Sequence, residues 1–281
     1  MKNFITIAEI GNTHIGKLQR AKKLINLAKN AGADVLKLQK RAPKECVPKK
    51  LWNKPHPNQK FSYGKNYIEH RINIELSLEE HKKIKKYCQK QNIEYSTSIW
   101  DLTSAKEIIS LNPMKIKIPS ACNYNKKIIE FLYDNFNGEI HISLGMTTKK
   151  ERERFYNYIK KFNLNRFVIY HCTSMYPAPF KNIYLNEIKN LCSKYPKVGF
   201  SNHGYGIILE SIAYTLGARY FERHFIDDRT FPHSDSAASL EPQGFNKMVR
   251  NLEATKESLK YKPNQLIKEE KIQRDKLRKP N

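Results

Sequence analysis

Short apolar runs alternate with longer stretches of helical periodicity along almost the whole chain. Eight runs have the length and composition of β-strands, and they are residues 5–10, 35–39, 94–99, 115–120, 139–144, 167–172, 198–202 and 220–225. Amphipathic helical patterns separate or follow them at residues 18–30, 77–90, 102–111, 126–136, 149–162, 185–194, 207–216 and 244–259. Several runs are apolar on both faces, which is typical of parallel strands covered by helices. Eight such units predict an α/β fold, a closed (β/α)8 TIM barrel. An open doubly wound sheet is the alternative, and no GxGxxG turn supports it.

Two stretches interrupt the alternation. Residues 41–75 are too long for an ordinary connection and carry Trp52, Tyr63 and Tyr67. A long loop after a barrel strand is usually a lid or a substrate loop. Residues 262–281 are dense in charge, with few apolar residues to dock them, and predict a basic tail that is a helix or a frayed end. We therefore expect one barrel domain over residues 1–261 and no second domain in the tail.

The composition fits one large barrel. The chain has 281 residues with a hydrophobic fraction of 40%, and such barrels typically run to about 250 residues. Its 51 Lys and Arg against 27 Asp and Glu give a net charge of +24. Nucleic-acid binding is one interpretation of this charge, but the chain shows no recognised nucleic-acid-binding motif, and we expect no such partner. A basic protein also suits small anionic substrates.

The cysteines and the lengths of the apolar runs indicate the cellular compartment. The five cysteines are scattered and form no CxxC pair, which argues against a disulfide framework and for a reducing cytosol. No apolar run approaches the roughly 18 residues of a membrane span, and the first residues lead directly into a strand pattern. We expect a cytoplasmic protein without a membrane partner.

Polar residues mark the carboxyl end of every predicted strand, where barrel enzymes place their working groups. In strand order they are Glu9; Lys37 and Gln39; Ser96, Thr97 and Ser98; Lys117 and Ser120; Ser143; His171, Thr173 and Ser174; Ser201, Asn202 and His203; Glu222 and His224. A lysine within an apolar strand is costly to bury unless it is paired, and this barrel would hold two. Single Ser or Thr residues often only cap a helix. Two lysines among several hydroxyls, with polar residues at all eight ends, instead indicate a site for a small anion with phosphate or carboxylate groups.

His203 and His224 would close two neighbouring strands, so their imidazoles can converge. Two imidazoles with open positions for oxygen ligands suit a divalent ion acting as a Lewis acid. Their separation of 21 residues matches no local metal motif, and a structural role for each histidine is the alternative.

Seven motifs together resemble the sialic acid synthase family over roughly the whole barrel. They are residues 8–11 (AEIG), 117–120 (KIPS), 143–146 (SLGM), 171–177 (HCTSMYP), 199–203 (GFSNH), 222–225 (ERHF) and 234–242 (SDSAASLEP). Residues 63–71 (YGKNYIEHR) look closer to the animal N-acylneuraminate-9-phosphate synthases. The family condenses phosphoenolpyruvate with an N-acyl-hexosamine to make nonulosonic acids.

The resemblance implies a role for each matching residue. His203 and His224 would hold Mn²⁺ or Mg²⁺, and Glu9 would lie beside the metal-bound water as its proton acceptor. The residues implied to bind phosphoenolpyruvate are Lys37, Thr97, Lys117, Ser120, Ser143, Ser174 and Ser201. The residues implied to face the sugar are Gln39, Tyr176 and Asp235. The metal would polarise the sugar aldehyde for attack by the phosphoenolpyruvate methylene carbon, and water addition would then expel phosphate with C–O cleavage.

The chain departs from the family pattern in three places. Ser174 stands where many bacterial members have Asn, and both can hydrogen-bond phosphoenolpyruvate. Ala121 and Cys122 replace a Gly and an acidic residue that normally binds sugar hydroxyls, so Cys122 is either a space-filler or part of a pocket for a more apolar sugar. Residues 276–279 (KLRK) resemble the junction to an antifreeze-like C-terminal domain, after which the sequence stops.

The predicted function is therefore a metal-dependent synthase acting on phosphoenolpyruvate and an N-acyl-mannosamine-type sugar. The alternatives are the same chemistry on N-acetylmannosamine 6-phosphate or on diacetamido-dideoxy hexoses, as in legionaminate and pseudaminate synthases, and a barrel homologue without turnover. The resemblance implies a homodimer. Either a separate antifreeze-like domain protein or the long loop supplies the contact normally made by the C-terminal domain, or the enzyme is weakened.

Overall fold

A computed structural model describes residues 2–278, and its centre is a closed barrel of eight parallel strands. The strands are β1 (Ile5–Gly11), β2 (Val35–Lys40), β3 (Glu94–Ile99), β4 (Lys115–Ile118), β5 (Glu139–Ser143), β6 (Phe167–Cys172), β7 (Val198–Asn202) and β8 (Tyr220–His224). Each strand pairs with its neighbour in sequence, and β8 closes the barrel by pairing with β1. The predicted (β/α)8 TIM barrel is confirmed.

Eleven α-helices accompany the strands in the described part of the chain. They are α1 (Leu18–Asn30), α2 (Pro43–Cys46), α3 (Tyr67–Asn73), α4 (Leu78–Lys90), α5 (Leu102–Ser110), α6 (Lys126–Asn135), α7 (Lys149–Ile159), α8 (Glu187–Cys192), α9 (Ile208–Thr215), α10 (Pro242–Ser258) and α11 (Lys268–Leu277). Two of these helices begin with a capping box, which Ser77 and Glu80 form at α4 and Thr148 and Glu151 form at α7. None of the helices among residues 2–278 has the length and apolarity needed to cross a membrane.

Several element ends differ from the sequence-based expectation. Strand β4 ends at Ile118, and Ser120 begins a short 3₁₀ turn. Pro119 explains this end, because proline has no N–H to donate to the neighbouring strand. Helix α10 begins at Pro242, where proline is tolerated because the first helical N–H has no intrahelical acceptor. Helix α8 spans only Glu187–Cys192, which is shorter than the predicted helix.

The barrel interior holds an apolar cluster below a charged layer, and a further ion pair, Lys115 with Glu94, lies at the amino ends of the strands. Near the amino ends of the strands, Ile7, Val35, Val168 and Tyr170 form a small buried cluster. Two residues further along β1 and β2, Glu9 and Lys37 point into the same interior, since side chains of one strand alternate between faces. The apolar layer closes the bottom of the barrel, so the charged layer opens only toward the carboxyl ends of the strands.

The two stretches that interrupt the pattern behave differently. The long loop contains α2 and α3 and packs over one side of the barrel mouth, where Tyr63 Oη donates to the Pro232 carbonyl over 2.8 Å. Helix α11 in the tail has no buried residue, and an exposed Lys262–Glu270 ion pair of 2.8 Å lies beside it. The last residues of the predicted tail, 279–281, lie outside the described residues, and so does the end of the 276–279 motif.

A buried ion pair ties together the ends of β7 and β8. Glu210 of α9 is fully buried and accepts hydrogen bonds from Arg223 over 3.1 Å and from Asn202 over 2.7 Å. Arg223 also donates to the Gly204 carbonyl over 2.9 Å. His203 lies between Asn202 and Gly204, and His224 follows Arg223, so this network holds the backbone on both sides of one histidine and just before the other.

We expect Glu210→Ala to lower the free energy of unfolding by about 3–5 kcal/mol, because it leaves the Arg223 guanidinium buried without its counter-charge. Denaturant unfolding would measure the change. Glu79→Ala is the matched control, since Glu79 forms an exposed pair with Lys82 and its loss should cost less than about 1 kcal/mol. Equal losses in the two variants would contradict a special role for the buried pair.

Candidate active site

Four buried charges form the floor of the cavity at the carboxyl ends of the strands. Lys37 Nζ lies 2.6 Å from Glu9 Oε2 and 3.8 Å from Glu222 Oε2, and it donates to Ser98 Oγ over 2.7 Å. Lys117 Nζ lies 2.6 Å from Glu222 Oε1. All four charged side chains are at most 6% exposed. The predicted pair of buried lysines is therefore present, and each lysine has a carboxylate partner.

The two carboxyl groups of this floor differ in their affinity for a proton. Burial raises the pKa of Glu9 above its usual value, and the nearby Lys37 only partly offsets the effect. Burial also raises the pKa of Glu222, but the nearby Lys117 and Lys37 have the larger effect and lower this pKa to about 2. Glu222 is thus a permanent carboxylate, whereas Glu9 is the group that more readily holds a proton.

His203 and His224 lie side by side above this floor, with ring centroids 5.4 Å apart. His203 Nδ1 donates to the Thr173 carbonyl over 2.9 Å, so its Nε2 is left with a free lone pair. His224 Nδ1 is buried with no hydrogen-bond partner in the described chain, and it lies 3.7 Å from Asp235 Oδ2. A backbone carbonyl that orients one imidazole and a carboxylate near the other are typical of metal-binding histidines. No group of three or more His, Cys, Asp or Glu within residues 2–278 could hold a metal, so further ligands here would be water or substrate oxygens.

Hydroxyl groups of three serines also line the cavity. Ser120 Oγ accepts from the Gly145 N–H over 3.1 Å, and Ser143 Oγ is buried without a partner in the described chain. Ser201 Oγ donates to Glu222 Oε1 over 3.1 Å. Gly145 is required here, because a Cβ at this position would lie 2.4 Å from Ser174 Oγ and 2.7 Å from Ser120 Oγ.

Two residues predicted to bind phosphoenolpyruvate lie elsewhere. Thr97 is fully buried but does not line the cavity, because its partners across the sheet are Leu38 and Ile116, whose side chains point toward the helices. Ser98, one residue later, points inward and contacts Lys37. Ser174 lines a neighbouring cavity, although its Oγ is close to Ser120 Oγ across Gly145.

Of the three residues predicted to face the sugar, Gln39 and Tyr176 line the cavity, and Asp235 lies beside His224. Gln39 Nε2 donates to Glu9 Oε1 over 3.0 Å, and its own carbonyl oxygen accepts from Arg41 over 2.7 Å. The Tyr176 ring is 4.3 Å from the His203 ring between centroids. Asp235 lies on the far side of His224.

Sequence reasoning assigned no role to Glu222 or to Trp100, which both line the cavity. Glu222 was recognised as a polar strand end, but only the barrel closure shows that it neutralises two lysines from other strands. Trp100 follows β3, and the Arg41 guanidinium lies 3.6 Å from its ring centroid. Side chains of a strand alternate between its two faces. Counting along β3 from an outward-facing apolar residue could therefore have indicated Ser98, in place of Thr97, as the inward-facing hydroxyl.

The chain is similar to known proteins over most of its length. A model of the NeuB family matches residues 24–264. The N-acetylneuraminate-9-phosphate synthase of Homo sapiens is 32% identical over 263 residues, which are 93% of this chain and 72% of that protein. The N,N'-diacetyllegionaminic acid synthase of Campylobacter jejuni is 34% identical over 250 residues, which are 86% of this chain and 73% of that protein.

Solved structures agree as well. The N-acetylneuraminic acid (sialic acid) synthetase of Leptospira borgpetersenii, crystallised with citrate, superposes with a TM-score of 0.79 at 26% identity. The match covers 99% of this chain and 93% of that one. With the family model spanning most of the barrel and relatives above 30% identity, the chain belongs to the NeuB family of sialic acid synthase-type enzymes.

Proposed function

We propose that the protein condenses phosphoenolpyruvate with an N-acyl-mannosamine-type sugar, giving a nonulosonic acid and phosphate. The observation that carries the proposal is the pair of buried lysines, surrounded by hydroxyls, directly below two imidazoles. Relatives of similar identity with names for sialic and legionaminic acid synthesis support the same reaction class.

In this proposal, the charged residues of the floor and the surrounding hydroxyls bind phosphoenolpyruvate. The lysine charges are balanced by carboxylates before substrate enters, and the anion competes with Glu9 and Glu222 for the same ammonium groups. Lys117 is held by Glu222 and lies over the Tyr170 ring at 4.4 Å, so its position does not depend on the substrate. Such preorganised cations favour the anion without a reorganisation cost at the moment of reaction.

We propose that His203 and His224 hold a divalent ion, Mn²⁺ or Mg²⁺. The fixed tautomer of His203 and the unpartnered Nδ1 of His224 support this assignment. When bound, the ion would supply Lewis-acid polarisation of the sugar aldehyde. The Thr173 carbonyl holds His203 in place, and Tyr176 covers the outer side of the two rings.

The reaction is balanced with one water. The methylene carbon of phosphoenolpyruvate forms the new C–C bond to the aldehyde carbon, which leaves a cationic centre at the former enol carbon. Water adds to that centre, and the tetrahedral intermediate expels phosphate by cleavage of its C–O bond. The proton lost by the water needs an acceptor near this carbon. Glu9 is placed for the role beside Lys37, and its raised pKa matches a group that takes up and releases a proton.

We further propose that the protein works in the cytoplasm as a homodimer. All five cysteines are free, which suits a reducing compartment. The dimer rests on the family resemblance.

Lys117→Gln should weaken phosphoenolpyruvate binding by about 10–100-fold, because a charge-assisted contact to the anion is lost and Glu222 keeps its charge. Isothermal titration of phosphoenolpyruvate would measure the change. Lys115→Gln is the matched control, since Lys115 lies on the same strand and face but at the other end of the barrel, paired with Glu94. Unchanged binding in Lys117→Gln would contradict the assigned role of the floor.

His203→Ala and His224→Ala should each abolish high-affinity Mn²⁺ binding and lower turnover by at least about 100-fold, because a two-histidine site cannot lose one ligand. Electron paramagnetic resonance would follow free Mn²⁺, independently of activity. His81→Gln serves as the control, since His81 is buried between α4 and β3 and bonds Tyr95. If both alanine variants retained wild-type Mn²⁺ affinity, the metal assignment would be wrong.

A further inference from the structure

A cavity of about 360 Å³ separates the long loop from the segment that follows β8. Its polar lining includes His56, Asn58, Tyr67, His70, Arg71 and His233. We infer that this cavity binds a phosphate monoester on the acceptor sugar, at the end remote from the aldehyde. The inference rests on the proposed function and names the class of acceptor that the same active site takes.

The cavity is rich in hydrogen-bond donors. The His56 and His70 rings lie 4.4 Å apart between centroids, and Asn58 contributes an amide. Arg71 is 8% exposed, and one of its terminal nitrogens donates to Glu75 over 3.0 Å. Its Nε is buried without a hydrogen-bond partner in the part of the chain that the structure describes. A buried guanidinium N–H without an acceptor is costly, and an oxyanion would satisfy it.

The charge around the cavity favours an anion. Residues 41–75 contain eight Lys and Arg against three Glu, a net charge of +5. Of these three acids, Glu75 is already engaged by Arg71 and by the Arg41 N–H, and Glu69 by the Lys65 N–H. A guanidinium group presents several N–H donors in a geometry that suits phosphate, and each neutral imidazole can add one more.

The position of the cavity fits the far end of an open-chain sugar. Asp235 Oδ2 lies 3.7 Å from His224 Nδ1 and 3.8 Å from His233 Nδ1. His224 belongs to the candidate metal pair, whereas His233 lines the cavity. Asp235 therefore stands between the two, so an acceptor with its aldehyde at the histidine pair and its hydroxyls at Asp235 directs its other end to the cavity.

The test compares N-acetylmannosamine with its 6-phosphate as acceptor, using phosphate release and product mass. We expect kcat/KM to be at least about 100-fold higher for the phosphate, the size of two charge-assisted hydrogen bonds. His56→Gln and Arg71→Gln should each lower the ratio of the two kcat/KM values by about 10-fold or more. Lys49→Gln removes one positive charge from the same loop away from the cavity, and should leave the ratio within about twofold if local contacts, not the general field, decide selectivity.

The outcomes separate the two proposals. A preference for N-acetylmannosamine or a diacetamido-dideoxy hexose over the 6-phosphate overturns the inference and leaves the proposed function standing. A preference for the phosphate that both cavity variants preserve also overturns it, since the phosphate would then bind elsewhere. Absence of turnover with every sugar, together with absence of phosphoenolpyruvate binding, removes the proposed function and the inference with it.

Discussion

The pairing of two buried lysines with two buried glutamates is the constraint on which the site depends. Glu9, Lys37, Lys117 and Glu222 come from β1, β2, β4 and β8, so their contacts cross the barrel interior. A buried charge is tolerated only with a partner, and loss of any one member would leave an uncompensated charge. Closure of the barrel in this register satisfies these groups and brings both lysines to the floor of the cavity.

The histidine pair depends on the same closure. Strands β7 and β8 are neighbours, and the Glu210–Arg223 pair fixes their ends from the helix side. The anion site and the candidate metal site therefore meet at Glu222, which precedes His224 by two residues and holds Lys117. In the proposed reaction this arrangement would bring an enolic phosphate beside an aldehyde, which is the geometry that a condensation requires.

Sequence alone predicted much of this arrangement, for a physical reason. Parallel strands in a closed barrel bring their carboxyl ends together, so polar residues at eight separate ends converge even though they are far apart in the chain. The predicted site differs from the structure where it depended on which residues of one strand face the barrel interior. Thr97 and Ser98 are both plausible hydroxyl donors, and only the pairing with β2 and β4 decides which one faces inward. The sequence indicated a lid or substrate loop at residues 41–75, but it did not show where the loop packs, because its position depends on contacts such as Tyr63 with Pro232.

The most direct test of the proposed condensation follows the bridging oxygen of phosphoenolpyruvate. Substrate labelled with ¹⁸O at that oxygen would be incubated with Mn²⁺, the protein and the acceptor panel, and phosphate and sugar product would be analysed by mass spectrometry. The proposed condensation predicts ¹⁸O in the released phosphate and a product three carbons longer than the sugar. Unlabelled phosphate, or labelled pyruvate without a lengthened sugar, would contradict the proposed condensation.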